Sequence, residues 1–338
     1  MVTLKDVAKL AGVSYNTVSF VVNGINKVAP ETKERVLKAI NELNYRPNKT
    51  ARALVSGKAD SIAFISTRFT SVFGMNILRE IEDGVHLAGL SFHYDLIPYS
   101  TRGEAGFKEH IIDSIIFNRK ADVIIMLGIK PSPESMQRLA ENKIPVVLID
   151  ETMPGAHSVK CDNIKGAYTA TEFLINKGRK NIAYIGTTNT GSETGLSVAE
   201  REEGYRKAVN DRNLIMNDTL QFTVNNNYVN EGYAVTTNLL NSRKSIDAIF
   251  SGAGDSTAIG AIKAIKDAGL RVPEDIAVIG YDDIPVASAV TPSLTTIKQP
   301  VEKMGNEAFA ITLEAMKGKL NEKKKLVFEP ELIIRESA

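Results

Sequence analysis

Residues 12–24 read "GVSYNTVSFVVNG". As a helix opening at Ser14, at about 100° per residue, the stretch sorts into two faces. Val18, Val21 and Val22 fall on one side, and Asn16, Ser19, Phe20 and Asn23 on the other. The valine side is what a small core needs. The other side holds three polar residues and a phenylalanine. Solvated amides are ordinary, but an exposed aromatic beside them suits a contact surface. In a DNA major groove, Asn bonds adenine N6 and N7 bidentately, and Phe20 or the edge of Tyr15 packs against a thymine methyl.

Upstream, Thr3 caps a helix with Leu4, Val7, Ala8 and Ala11 at helical spacing, and Asp6 completes a near capping box. Gly12 ends that helix, and Ser14 caps the next. Two short helices joined by a tight Gly-containing turn make a helix-turn-helix. Downstream, Pro30 opens a third helix with Val36, Leu37, Ile40 and Leu43 as its expected buried stripe. Then comes "YRPNKTARALVSGKAD", residues 45–60. Pro47 breaks the third helix, and Asn48 caps a short one over about residues 49–55. That helix carries Lys49 and Arg52 for phosphates and Leu54 on its apolar side. It is too short to be stable alone in water, so it is expected to order on binding.

The charge agrees with a nucleic-acid partner. The first 60 residues carry ten Lys and Arg against five Asp and Glu, whereas the remainder carries 31 against 35, although the chain's net charge is only +1. With 338 residues, 43% apolar and 24% charged, the chain has room for two or three soluble domains. One cysteine, Cys161, excludes an internal disulfide framework and fits a reducing compartment. The opening "MVTLKDVAKL" lacks the basic start and apolar core of a secretory signal. No apolar run approaches the roughly 18 residues of a membrane span. A cytoplasmic location without a membrane partner is expected.

The stretch "TLKDVAKLAGVSYNTVSFVVNG…VAPETKERVLKAINELNYRPNKTARAL" resembles, almost without gaps, the headpiece of the lactose/galactose repressor family of bacterial transcription regulators. The resemblance implies that the second helix reads the major groove, with Tyr15, Asn16 and Phe20 at the main base-reading positions. It implies that the hinge helix lies in the minor groove, where Leu54 wedges into the central base step. Two hinge helices are then needed, so a homodimer on a near-palindromic site in double-stranded DNA is implied. The candidate DNA-contacting set is Thr3, Leu4, Ser14, Tyr15, Asn16, Thr17, Ser19, Phe20, Asn23, Asn48, Lys49, Arg52 and Leu54.

From Ser61 the pattern changes. Apolar strands such as "SIAFIS", "ADVIIMLG", "PVVLID", "NIAYIG" and "IAVIGYDD" alternate with helices. This indicates parallel sheets covered on both faces. About eleven strands exceed one typical sheet, so two doubly wound lobes are expected. The body resembles the fold that those repressors share with periplasmic binding proteins. The expected division is 1–47 for the helix-turn-helix, 48–60 for hinge helix and linker, and 61–338 for effector binding and dimerisation. Within the last, the N-lobe spans about 61–161 plus 293–322 and the C-lobe about 162–291 plus 323–338. The chain is expected to cross between lobes near residues 161–162, 291–292 and 320–325.

Ligands of open α/β sheets bind beyond the carboxyl ends of strands. Asp150, Asp255, Asp282 and Asp283 stand at such ends, where carboxylates accept from sugar hydroxyls. Arg201, early in a helix after "YIG", can fork onto a hydroxyl pair or an anion. The resemblance implies effector contacts at Arg201, Tyr228 and Asp282, with Tyr228 as aromatic floor. It adds Phe73, Asp150 and Ser197 as lining positions. One departure stands out: the family's usual Asn before Asp255 is Gly254 here, so a polar contact is expected to be lost.

Other signals fall away. "GTTNTGSETG" has the glycines of a phosphate loop at Gly186 and Gly191, but Ser192 and Glu193 stand where lysine and a hydroxyl residue belong. The four histidines lack metal-ligand spacing, no nucleophile–His–acid set stands out, and no cofactor is implied. A plain solute-binding protein would need a signal peptide and no basic head. The expected function is a dimeric transcription regulator, a repressor, controlled by a small carbohydrate effector.

Overall fold

The computed structural model describes residues 2–22, 27–45, 58–67, 72–87, 94–104, 106–187, 195–214, 218–242, 244–320 and 322–338. The chain forms two compact units, residues 1–60 and 61–338. The expected hinge helix, with Asn48, Lys49, Arg52 and Leu54, lies outside the described residues, as do Asn23 and most of the glycine-rich 186–195 loop.

The first unit contains α1 (Leu4–Ala11), α2 (Tyr15–Val22) and α3 (Pro30–Glu42). Asp6 accepts the Thr3 backbone N–H at 2.8 Å and its hydroxyl at 2.7 Å, and these bonds hold its carboxyl below the usual range. Gly12 adopts φ +63°, a left-handed stop that a side chain would strain. Ser14 accepts the Thr17 backbone N–H at 3.1 Å and so caps α2. The core is Val7, Ala8, Ala11, Val18, Val21, Val36, Ala39 and Tyr45. One expectation is corrected here: Leu37 is 45% exposed, and Ala39 takes its place in the buried stripe. The stripe centres on residues 36, 39, 40 and 43, which puts Leu37 about 100° away on its rim.

The second unit holds two six-stranded sheets. The first contains β1 (Ser61–Ser66), β2 (Asp95–Ser100), β3 (Val123–Leu127), β4 (Val146–Ile149), β5 (His157–Cys161) and β11 (Lys325–Phe328), in the order β11-β5-β4-β3-β1-β2. The second contains β6 (Ile182–Thr187), β7 (Gln221–Val224), β8 (Ala248–Ser251), β9 (Ala277–Asp282), β10 (Thr295–Lys298) and β12 (Glu331–Ile333), in the order β12-β10-β9-β8-β6-β7. Only the β10–β12 pair, among the described strands, is antiparallel.

Burial on both faces explains the continuous apolar runs. Ile62, Phe64, Val123 and Ile125 pack on one face with α4 (Val72–Leu87) and α11 (Val301–Met316). Ala63, Ile65, Ile124 and Met126 pack on the other with α5 (Phe107–Asn118) and α6 (Pro133–Glu141). In the second sheet, Ile182, Tyr184 and Phe250 meet α7 (Asn163–Asn176) and α8 (Leu196–Asp211). Ala183, Ile185 and Ile249 meet α9 (Val229–Asn241) and α10 (Asp255–Asp267).

The chain passes from the first sheet to α7 after Cys161. The other two crossings differ from the expected places. β10 still belongs to the second sheet, so the return falls at Gln299–Pro300, not near 291–292. β11 belongs to the first sheet, so the last crossing is at Glu329–Pro330, not within 320–325.

Candidate functional site

On the first unit, α2 separates as its periodicity requires. Val18 and Val21 are buried, Tyr15 is 49% exposed, Asn16 is exposed, and Phe20 is half-buried without belonging to the core set. The Ser14 and Thr17 hydroxyls bond each other at 2.8 Å. Ser19 is half-buried, and Leu4 packs on the core beneath α1. Thr3, Ser14, Tyr15, Asn16 and Thr17 thus lie at helix starts, where the positive end of the helix dipole favours anions.

On the second unit, residues beyond the carboxyl ends of the two sheets meet around Arg201. This side chain, 8% exposed, comes from the second turn of α8. It donates from Nε to Asn163 Oδ1 at 3.1 Å, from Nη1 to the Gly252 carbonyl at 3.0 Å, and from Nη2 to Asp282 Oδ1 at 3.4 Å. Its guanidinium carbon lies 3.7 Å from the centroid of the Tyr281 ring. Among the described residues, three of its five N–H groups have acceptors.

Asp282 ends β9 with φ +109°, and Asp150 and Asp283 also have positive φ, 59° and 52°. Such backbone persists where its surroundings over-determine it, commonly at functional sites. Asp282 Oδ1 also accepts from Gln299 Nε2 at 2.7 Å. Burial pushes the Asp282 pKa up, while Arg201 and Gln299 oppose the shift. Asp150 is 4% exposed, and the Cys161 N–H approaches its Oδ1 at 3.5 Å. Burial raises its pKa to about 6 despite the pull of Arg201.

Tyr228 caps the start of α9 and is 38% exposed; Ser197 is half-buried in the first turn of α8. Phe73 lies in the first turn of α4. A cavity of about 470 Å³ opens at the second and third crossings, lined by Asn76, Arg79 and Glu80 of α4 and by Asp282, Gln299 and Glu329. Gln299 Oε1 is buried there without a hydrogen-bond partner among the described residues.

Asp255 corrects an expectation. It is 0% exposed, its Oδ1 accepts from the Thr296 hydroxyl at 2.5 Å, and its Oδ2 accepts from the Ile284 N–H at 2.8 Å. Burial, and then Asp282, push its pKa up to about 8. Asp255 is a clasp between α10, β10 and the segment after β9, and it does not face the cleft. Asp283 is likewise held, by Arg335 at 2.7 Å.

Several residues that build the site are absent from the sequence-derived set. Asn163 holds Arg201 and donates to the Cys161 carbonyl and to Glu200. Glu200 pairs with Lys160 of β5. Glu151, after β4, accepts the Leu196 N–H of α8 at 2.8 Å and pairs with Lys130 at 3.2 Å. These contacts tie one lobe to the other. Among the described residues, no cluster of His, Cys, Asp or Glu could hold a metal ion, and no helix is long and apolar enough to cross a membrane.

This arrangement has counterparts. Residues 3–48 match the bacterial regulatory proteins of the lacI family, and residues 171–338 match the periplasmic binding protein-like domain. The chain is 34% identical over 342 residues to the HTH-type transcriptional repressor PurR of Vibrio campbellii, covering 99% of this chain and 98% of that protein. The chain belongs to the LacI family. Another relative of this LacI-family chain is the HTH-type transcriptional regulator CelR of Thermobifida fusca, 33% identical with 99% and 98% coverage. A solved CelR–cellobiose complex superposes with TM-score 0.72 at 30% identity over the whole of both chains. The lac repressor dimer bound to operator and the anti-inducer ONPF superposes with TM-score 0.86 at 26% identity, over 99% of this chain and 98% of that one. LacI-family membership makes the chain a DNA-binding transcriptional regulator and not an enzyme.

Proposed function

We propose that this LacI-family regulator is a homodimeric repressor acting in the cytoplasm on a near-palindromic operator. Base reading falls to Tyr15, Asn16 and Phe20. Thr3, Leu4, Ser14, Thr17, Ser19 and Asn23 flank them toward phosphates and base edges. Asn48, Lys49 and Arg52 grip the backbone at the operator centre, where Leu54 wedges between base pairs. The lac repressor relative, seen as a dimer on its operator, supports this division of labour.

The effector in this reading is a carbohydrate bound between the lobes by Arg201, Asp282, Asp150, Tyr228, Ser197 and Phe73. The carrying observation is the Arg201–Asp282 pair, a buried charge pair whose Asp282, alone of the proposed effector residues, also lines the described cavity. That a CelR relative is solved with cellobiose supports the chemical class. Control follows from linkage. A ligand seated among contacts that cross the lobes, such as Lys160–Glu200 and Glu151–Leu196, binds two lobe arrangements unequally. The arrangement it favours sets the spacing of the two hinge segments in the dimer, and so operator affinity.

The test pairs a gel shift on a palindromic DNA library with a thermal-shift screen of sugars, sugar phosphates and nucleobases. Salt-sensitive, sequence-specific binding by a dimer that weakens for Leu54→Ala supports the reading. Binding indifferent to sequence sinks the operator part of it.

A further inference from the structure

Gly254 leaves no void. It sits at φ +122°, and a Cβ built there would clash with Asn227 Nδ2 and lie 3.1 Å from Asp282 Oδ2. The Asn227 side-chain amide therefore occupies the place that a side chain at 254 would take, beside the acid of the cleft.

The orientation of that amide is fixed. Its Oδ1 accepts the Thr257 backbone N–H at 3.1 Å and the Thr257 hydroxyl at 3.0 Å. Thr257 is the third residue of α10, whose N-cap is Gly254. Asn227 thus supplies, from another loop, the cap that Gly254 cannot make. With the oxygen committed to Thr257, the Nδ2 donors point toward Gly254 and Asp282. The loop itself is clamped: Glu231 accepts the Asn225 and Asn226 N–H groups at 2.7 and 3.0 Å and Asn226 Nδ2 at 2.9 Å.

Asp282 is arranged in the complementary way. Its Oδ1 takes both Arg201 and Gln299, and no described hydrogen bond uses its Oδ2. Nor does any described hydrogen bond use Asn227 Nδ2. A donor and an acceptor, neither used by a described hydrogen bond, thus both approach the point where a Cβ on Gly254 would lie. Asn227 and Gly254 lie beyond the carboxyl ends of β7 and β8, and Asp282 is the last residue of β9, at the sheet edge where ligands of such folds bind.

We propose that Asn227 is a specificity-determining residue of the cleft, reading together with Asp282 Oδ2 a neutral group that offers an acceptor and a donor on neighbouring atoms. Two adjacent sugar hydroxyls present that pattern, and so does the N–H/C=O edge of a nucleobase. An anionic group at this point is rejected by Asp282. The inference rests on the cleft being the effector site. It replaces the expected loss of a polar contact at Gly254 with a contact supplied from a different loop.

The test uses the full-length protein and calorimetric titration with D-glucose, D-ribose and cellobiose, each sugar against its monodeoxy forms, and with hypoxanthine against purine. Asn227→Asp keeps the oxygen that caps Thr257 but turns the donor into an acceptor. Wild type should prefer one parent probe over its deleted analogue by roughly tenfold or more, because a site built to bond a group rejects the analogue lacking it. In Asn227→Asp that preference should collapse toward one, a ratio that any loss of stability from a second acid beside Asp282 leaves unaffected. A sugar or a base as the preferred probe identifies which source of the pattern is read. Equal weakening of parent and analogue overturns the proposal, since that is what a merely structural role gives. Binding of a parent probe that is lost in Asp282→Asn but unaltered in preference by Asn227→Asp upholds the effector site and overturns the role of Asn227. If no probe binds wild type, the carbohydrate reading of the cleft falls, and this inference falls with it.

Discussion

Arg201 and Asp282 lie 3.4 Å apart, with side chains 9% and 11% exposed. Neither is held by the other alone. Arg201 also bonds Asn163 and Gly252 and lies over Tyr281; Asp282 also bonds Gln299. A buried pair is worth little by itself, but removing one partner strands the other.

Arg201→Lys is therefore not conservative. A lysine cannot span Asn163, Gly252 and Asp282 together, nor lie flat on Tyr281. The variant should lose stability by about 1–3 kcal/mol and bind effector at least about tenfold more weakly. Urea denaturation and calorimetric titration measure the two effects. Wild-type values for both would show that the fork is dispensable.

Phe20 stands on the outer face of α2, where an arginine could bond guanine or phosphate. Phe20→Arg should shift the half-site recovered from a random library at one position, away from thymine. Recovery of the wild-type half-site by this variant would remove Phe20 from the base readers.

Asp255 makes a pH-dependent contribution. Its pKa is about 8 in the fold, against about 3.9 in an unfolded chain. Between those values the folded protein holds a proton that the unfolded chain has released, so stability falls as pH rises. Asparagine can keep both partners, accepting from the Ile284 N–H and donating to the Thr296 hydroxyl. Whatever their difference at pH 4, Asp255→Asn should gain on wild type by a few kcal/mol at most as pH rises toward 8. Parallel urea midpoints across that range would contradict the assignment.

His157 works in the opposite sense. It is 1% exposed, its Nδ1 accepts the Lys324 N–H at 3.3 Å, and burial, with Lys323 and Lys324, lowers its pKa to about 4. The unfolded chain binds the proton first, so the stability present above about pH 6.5 is lost as pH falls toward 4. His157→Gln should flatten that acid limb, and an unchanged limb would assign it to other groups.

Local periodicity carried much of the reading. The valine face of α2 and the two-sided apolar strands follow from spacing alone, and the structure has both. What the sequence hid was held by partners far apart in the chain. β10 is the clearest case. Thr295 and Thr296 are fully buried, yet polar, because Arg335 donates its N–H to one hydroxyl and the other donates to Asp255. A strand of satisfied threonines has no apolar signature, so the sequence alone sets the second crossing ahead of β10. Asp255 looked like a ligand residue for the same reason, since its partner Thr296 lies 41 positions away. Asn227 has no sequence signature either, because its contact to Thr257 joins positions 30 apart and fills room that only a glycine at 254 leaves.

The central claim is that occupancy of the cleft changes operator affinity. The direct measurement is fluorescence anisotropy of the selected palindrome, at fixed salt, with and without a saturating amount of a compound that calorimetry places in the cleft. A shift in Kd of about 5- to 150-fold, corresponding to about 1–3 kcal/mol of coupling, is the expected result, and Arg201→Lys should need at least about tenfold more compound to reach it. The same Kd with and without a compound that saturates the cleft would contradict the account.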